Sequence, residues 1–250
     1  KVQVWMDQSP NAYQLQQTTD AKKPTVQPNV LNGFQSVRFQ GAQVLSGGDI
    51  LDLGTSSRTA VVVGNHTTSG VGNFYAKALL GPASGRFAMN YRSNNDLRSF
   101  YTDILEFNNS GITSRTSSQF SANMSVIDRT THTNKVFQNN QLINSFGGLN
   151  PSFNANTTFR FLVGAFNDAN DIGETNFLNG YINEIVFSSS ASDSTRIRLN
   201  NYMKFKYSPE LNLGADILVE NSFCSVPLTA TSGYTNILWS TGSTATTINV

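Results

Sequence analysis

The densest acidic cluster in this chain is Asp168, Asp171 and Glu174, which share one short stretch with Asn170 and Gly173. Calcium takes roughly six to eight oxygen ligands, and Asp, Asn and Glu around a glycine turn can supply several of them. The spacing is not that of an EF-hand loop. Two readings stand side by side: a structural calcium site on Asp168, Asp171 and Glu174, or a polar turn ahead of a strand. A second grouping is aromatic. Tyr75, Tyr91 and Tyr101 fall on neighbouring strand-like segments, with Arg86, Arg92, Arg98 and many Asn around them. Rings and hydrogen-bonding groups on one sheet face suit a saccharide, which makes Tyr75, Tyr91, Tyr101 and Arg92 the candidate ligand-binding residues. Trp5 and Trp239 also lie in strand-like segments, where core packing is the simpler reading.

Catalytic constellations are missing from the sequence pattern. Retaining glycoside hydrolysis needs two carboxylates about 5 Å apart, and no carboxylate pair is spaced to share one strand face: Glu106, Glu174, Glu184, Glu210 and Glu220 stand apart. Glu184 reads as a structural hydrogen-bonding residue. His66 and His132 lie in separate Ser/Thr-rich segments, which argues against a triad or a metal pair. No Gly-rich phosphate loop occurs. Cys224 is the only cysteine, which excludes an internal disulfide and a cysteine-based zinc cluster. The chain therefore reads as non-catalytic.

The composition sets the frame for these groups. The 250 residues carry a net charge of +1, and only 13% are charged, about half the usual share. Asn, Ser and Thr make up roughly a third of the chain and are expected in loops and on outer faces. Aromatics reach 11%, led by 17 Phe. Low charge and many rings argue for a packed core rather than disorder. Scattered Lys and Arg do not make the basic field of a nucleic-acid binder. No apolar run approaches the roughly 18 residues of a membrane span.

Alternating segments separated by turn signals predict strands at residues 35–39, 59–63, 74–80, 86–91, 99–107, 120–128, 135–138, 141–143, 158–164 and 181–188. Asn139-Asn140 reads as a tight hairpin turn. Ten or so strands without intervening helices imply an all-β antiparallel sandwich. One helix is predicted over 195–206, capped near Ser192, with Lys204 and Lys206 in its last turn and Pro209 beyond it. After Pro209 the texture changes, and strand candidates at 217–220, 226–230, 236–240 and 246–250 have the spacing of an immunoglobulin-like sandwich. The expected domains are 1–208 and 209–250.

Two stretches carry a family resemblance. Residues 4–45 hold Trp5, Asp7, Ser9 and Asn11, then Pro24-Thr25, Asn32-Gly33, and a strand with Val37, Phe39 and Gly41. Residues 178–207 hold Gly180, Ile182, Glu184 and Ile185, then a helix ending in Tyr202, Lys206 and Tyr207. Both resemble laminin-G-like, concanavalin-like jelly-roll domains of bacteria, and the hairpin around Asn139-Asn140 is similar to theirs. The resemblance covers about residues 1–207 and implies a jelly-roll β-sandwich with one C-terminal helix, with a further strand before Lys1. The tail, with Leu213-Gly214, Cys224 and Leu238-Trp239-Ser240, resembles the immunoglobulin-like repeats of large secreted Bacteroidetes proteins.

Together these resemblances imply an extracellular, non-catalytic binding module of a cell-surface adhesin. Gliding motility and type IX export belong to that reading, with the secretion machinery a partner during export. The implied partner is a polysaccharide or surface glycan, or another cell-surface protein. The alternatives are a carbohydrate-binding accessory module of a secreted polysaccharide-degrading enzyme, and a structural spacer.

Overall fold

The computed structural model describes residues 1–68, 70–80, 86–92, 97–102, 108–109, 119–152, 154–208, 225–230 and 237–250. Nineteen strands and one α-helix are described. They run β1 (Val4–Met6), β2 (Gln14–Gln16), β3 (Thr25–Leu31), β4 (Phe34–Gln40), β5 (Leu45–Ser46), β6 (Arg58–His66), β7 (Gly72–Lys77), β8 (Arg86–Tyr91), β9 (Leu97–Thr102) and β10 (Asn108–Asn109). β11 (Ser121–Asp128), β12 (Thr133–Gln138), β13 (Gln141–Gly147), β14 (Leu162–Val163), β15 (Phe166–Asn167), β16 (Glu174–Thr175) and β17 (Asn179–Ser188) follow. Helix α1 (Asp193–Tyr207) precedes β18 (Pro227–Thr229) and β19 (Thr247–Asn249).

Sheet A has the order β1-β2-β5-β14-β7-β8-β9-β10 and sheet B the order β13-β12-β11-β6-β17-β4-β3. Neighbours within each are antiparallel. The two sheets face each other as a β-sandwich, the architecture expected from the alternating pattern. β3, at the edge of sheet B, carries Pro28 and an irregular register, features that suit an edge strand.

Local chemistry accounts for several elements. The Ser192 hydroxyl accepts the Thr195 N–H as the N-cap of α1, with Asp193 in the first turn and Lys204 and Lys206 in the last. Asn139 and Asn140 both adopt left-handed backbone (φ 48° and 67°), as a two-residue turn between β12 and β13 requires. Gly180 sits in β17 between β4 and β6, where a Cβ would lie 2.0 Å from the Asn65 carbonyl oxygen. That close approach explains why the strand motif begins with glycine.

Helix α1 lies on the outer face of sheet B. Met203 and Tyr207 pack on Val61, Val63, Met124, Val126 and Phe137. Glu184 clasps the helix, accepting from the Tyr202 hydroxyl (2.8 Å), the Lys206 ammonium (3.0 Å) and the Tyr207 hydroxyl (2.9 Å). Between the sheets, one region is filled by Phe39, Phe74, Tyr75, Phe87, Phe161 and Phe187. The other is polar: Ser99, Ser121, Asn123, Ser125 and Asn134 are buried there and bonded to one another or to Tyr91 and Gln138. This corrects the expectation that Asn, Ser and Thr populate only loops and outer faces. Because α1 covers the Met124/Val126 face of β11, the Ser/Asn face of the same strand is the one that turns inward.

Two strand predictions are also corrected. Only Leu162–Val163 of 158–164 pairs as a strand. Residues 237–240 form no strand; Trp239 begins a turn, bonded from its N–H to the Ser243 carbonyl and from Gly242 N–H to its own. In the tail β18 and β19 pair antiparallel. Glu106, Glu210, Glu220 and Cys224 lie outside the described residues.

Candidate functional site

The three candidate tyrosines are core residues. Tyr75, Tyr91 and Tyr101 are 3%, 1% and 2% exposed and point between the sheets. The Tyr91 hydroxyl donates to Asn123 Oδ1 (3.1 Å) and that of Tyr101 to the Gly54 carbonyl (3.1 Å). Burial holds Tyr75 well above the usual phenol range. The glycan-surface assignment of Tyr75, Tyr91 and Tyr101 is therefore corrected. Strand parity turns them inward, and Ala76, Ala88, Asn90, Arg98 and Phe100 take the outer face. Even that face is covered there, because Phe166 of β15 packs on Ala76, Ala88 and Phe100. Arg92 is exposed just beyond β8.

Asp168, Asp171 and Glu174 are brought together, in and beside the β15–β16 hairpin loop, and Arg160 closes them. Its Nε donates to Asp171 Oδ1 (3.2 Å), Nη1 to Glu174 Oε1 (3.0 Å) and Nη2 to the Gly173 carbonyl (3.1 Å). Lys22 adds a bond to Glu174 Oε2 (2.6 Å). Asp168 accepts the backbone N–H groups of Asn170, Ile172 and Gly173. Burial pushes Asp168 and Glu174 upward, but these donors outweigh it and both carboxyls sit below their usual range. The Arg160 guanidinium thus bridges Asp171 and Glu174. Among the described residues no cluster of three or more His, Cys, Asp or Glu is arranged to hold a metal. His66 ends β6 and His132 lies in the turn after β11, so the two histidines belong to different elements.

The same ion-pair group forms one wall of an open cleft of about 280 Å³, lined by Gln16, Gln17, Thr18, Thr19, Lys22, Ser46, Arg160 and Glu174. Beside it, the outer face of β1 and β2 is uncovered. Val4 pairs with Gln16 and Met6 with Gln14, and both apolar residues are 42% exposed. Amides and hydroxyls next to a small aliphatic strip can hydrogen-bond sugar hydroxyls and pack a pyranose ring's C–H face. Short polar segments scattered through residues 4–46 and 160–174 build this cleft, and no local motif marked it.

No protein-family profile matches the chain, and no curated protein matches it. Solved structures do. The chain is similar to the CBM40 module of the Ruminococcus gnavus IT-sialidase, at 11% identity and TM-score 0.51 over 66% of this chain and 96% of that one. The same module bound to α2,3-sialyllactose aligns with TM-score 0.50. A Trypanosoma rangeli sialidase in complex with sialic acid aligns at 14% identity and TM-score 0.55, over 79% of this chain and 30% of that one. At such identities the likeness concerns the fold, and it defines the class: this is a jelly-roll β-sandwich.

Proposed function

We propose that the chain is a non-catalytic glycan-binding module of a larger secreted bacterial protein. The observation that carries this reading is the amide- and hydroxyl-lined cleft beside the open β1–β2 face, on a sandwich whose other broad face is covered by α1. The carboxylates of the described residues fit a binding role. Glu184, Glu174 and Asp171 are each committed to a cation or a hydroxyl. The fold likeness to a carbohydrate-binding module aligned over nearly its whole length agrees with it.

The finer reading is the head of a cell-surface adhesin, with an immunoglobulin-like unit from residue 209 onward as stalk. It rests on the sequence resemblance of the tail, and gliding motility and type IX export belong to it. The second reading is an accessory module, in which the jelly roll serves a secreted glycan-degrading enzyme; the similar structures include such a module and a sialidase.

A glycan array with neutral, uronic-acid, sulfated and sialylated saccharides tests the binding role. Retention of at least one class, reduced about tenfold or more by Gln16→Ala with Lys22→Ala, is expected. Absence of binding to every class overturns it.

A further inference from the structure

Arg58 opens β6 with its guanidinium between the sheets, and only 3% of the residue is exposed. Its Nε, Nη1 and Nη2 make no hydrogen bond of good geometry, and the Tyr101 side chain offers only a marginal one. Around it stand rings and another cation. The guanidinium carbon lies 4.1 Å from the Tyr101 ring centroid and 6.0 Å from that of Phe87, and the Arg129 guanidinium stands 5.4 Å from the same Tyr101 ring. Burial pushes the Arg58 pKa down to about 10, against the pull of Tyr101 and Tyr75, so the group stays charged at neutral pH. A ring face answers positive charge but leaves the in-plane N–H donors unbonded. Buried charges are ordinarily paired and hydrogen-bonded.

Lys77 shows what this fold does with a buried cation. Its ammonium donates to Asp49 Oδ1 (2.8 Å), the Ile50 carbonyl (2.8 Å) and Asp52 Oδ1 (2.6 Å). The loop that leads into Arg58 thus carries two carboxylates and commits both to Lys77. Neither of them reaches Arg58. Gly54 ties this loop down: its carbonyl accepts the Tyr101 hydroxyl (3.1 Å) and the Ala155 N–H (2.9 Å), and its N–H donates to Asn156 Oδ1 (2.6 Å). Thr55 and Ser56, next in the chain, are exposed.

We propose that Arg58 is an oxyanion site that takes the carboxylate or sulfate group of an acidic saccharide at the end of the sandwich closed by residues 47–57. The planar guanidinium fork matches either group with two parallel hydrogen bonds. The site shares no residue with the Gln16–Glu174 cleft. Only the saccharide carrying the anion rests on the glycan-binding reading; the anion chemistry stands without it.

Thermal unfolding in chloride, sulfate and glucuronate at constant ionic strength tests this, with the Arg58 Nε–H resonance followed through the same titrations. At tenfold excess over Kd, sulfate or glucuronate is expected to raise Tm by about 3–5 °C and to shift that resonance. Arg58→Met should lose the response yet melt no lower than wild type in chloride, because an unpartnered charge has gone. Arg58→Lys keeps the charge without the fork and should weaken the response about tenfold. A response to sulfate alone identifies a sulfated source, and to glucuronate alone a uronate. The proposal is overturned if neither anion moves Tm or the resonance, or if Arg58→Met keeps the response. Array binding that survives such a failure leaves the cleft standing; an anion response with no array binding overturns the cleft alone.

Discussion

Across β7, β8 and β17 the gap between the sheets is filled by rings, whereas across β9, β11 and β12 it is filled by amides and hydroxyls. In the first region Tyr75, Phe87, Phe161 and Phe187 stand 5.0–6.2 Å apart between ring centroids, edge-on, tilted or stacked. In the second, the Ser99 and Ser125 hydroxyls meet at 2.6 Å across the gap, and the Ser125 hydroxyl also lies 3.1 Å from Asn134 Oδ1. Ring contacts are non-directional and scale with buried area. The polar contacts are directional, and each member is costly to strand. One region supplies bulk stability; the other specifies how the sheets sit on each other.

The largest expected effect separates the two at once. Phe87→Ala should cost about 3–5 kcal/mol, read from the urea midpoint at constant m, while Phe87→Leu should cost less than about half of that. A loss below about 1 kcal/mol for Phe87→Ala would erase the distinction.

On the polar side, Asn134→Ala should cost about 1–3 kcal/mol by removing the amide that bonds the Ser99 and Ser125 hydroxyls. Replacing the trio with Ser99→Ala, Ser125→Ala and Asn134→Leu should recover most of that loss. Purely additive losses would show that the network does not act as a unit.

Polar clasps outside the gap should follow the second pattern at smaller scale. Glu184→Gln should cost about 1–2 kcal/mol and should raise hydrogen exchange selectively across residues 193–207, since Glu184 holds Tyr202, Lys206 and Tyr207.

At Glu174 the sign is set by a carboxyl held below its ordinary 4.5. Its contribution is present above that value and is lost as pH falls through the lowered one. Comparing wild type with Glu174→Gln should show a difference of about 1 kcal/mol or less at pH 7, vanishing toward pH 3.

The smallest effect concerns calcium. With Arg160 between Asp171 and Glu174, millimolar calcium or a chelator should leave Tm unchanged. A clear upward shift with calcium would mean that the ion displaces the guanidinium.

Much of the scaffold was legible in the residues. The helix followed from Ser192, its acidic first turn and its basic last turn, and the β12–β13 turn from Asn139-Asn140, because both depend on local backbone hydrogen bonds and φ preferences. The acidic grouping at 168–174 lies in and beside one hairpin loop, which keeps sequence neighbours together. Its partner Arg160 was missed, as was Lys22, which comes from a segment far away in the chain.

By itself the sequence determined an alternating, low-charge β-sandwich with one capped helix, because period-2 patterning and capping are local properties. Only the tertiary structure decided which face of each strand turns inward. Alternation sorts the side chains of β11 into Ser121/Asn123/Ser125 and Ala122/Met124/Val126, but both sets are covered once α1 lies on sheet B, so hydrophobicity alone could not choose between them. The same ambiguity hid Tyr75, Tyr91 and Tyr101 in the core and left the open surface to Val4, Met6, Gln14 and Gln16, since burial depends on what packs above a strand as well as on the strand's own residues.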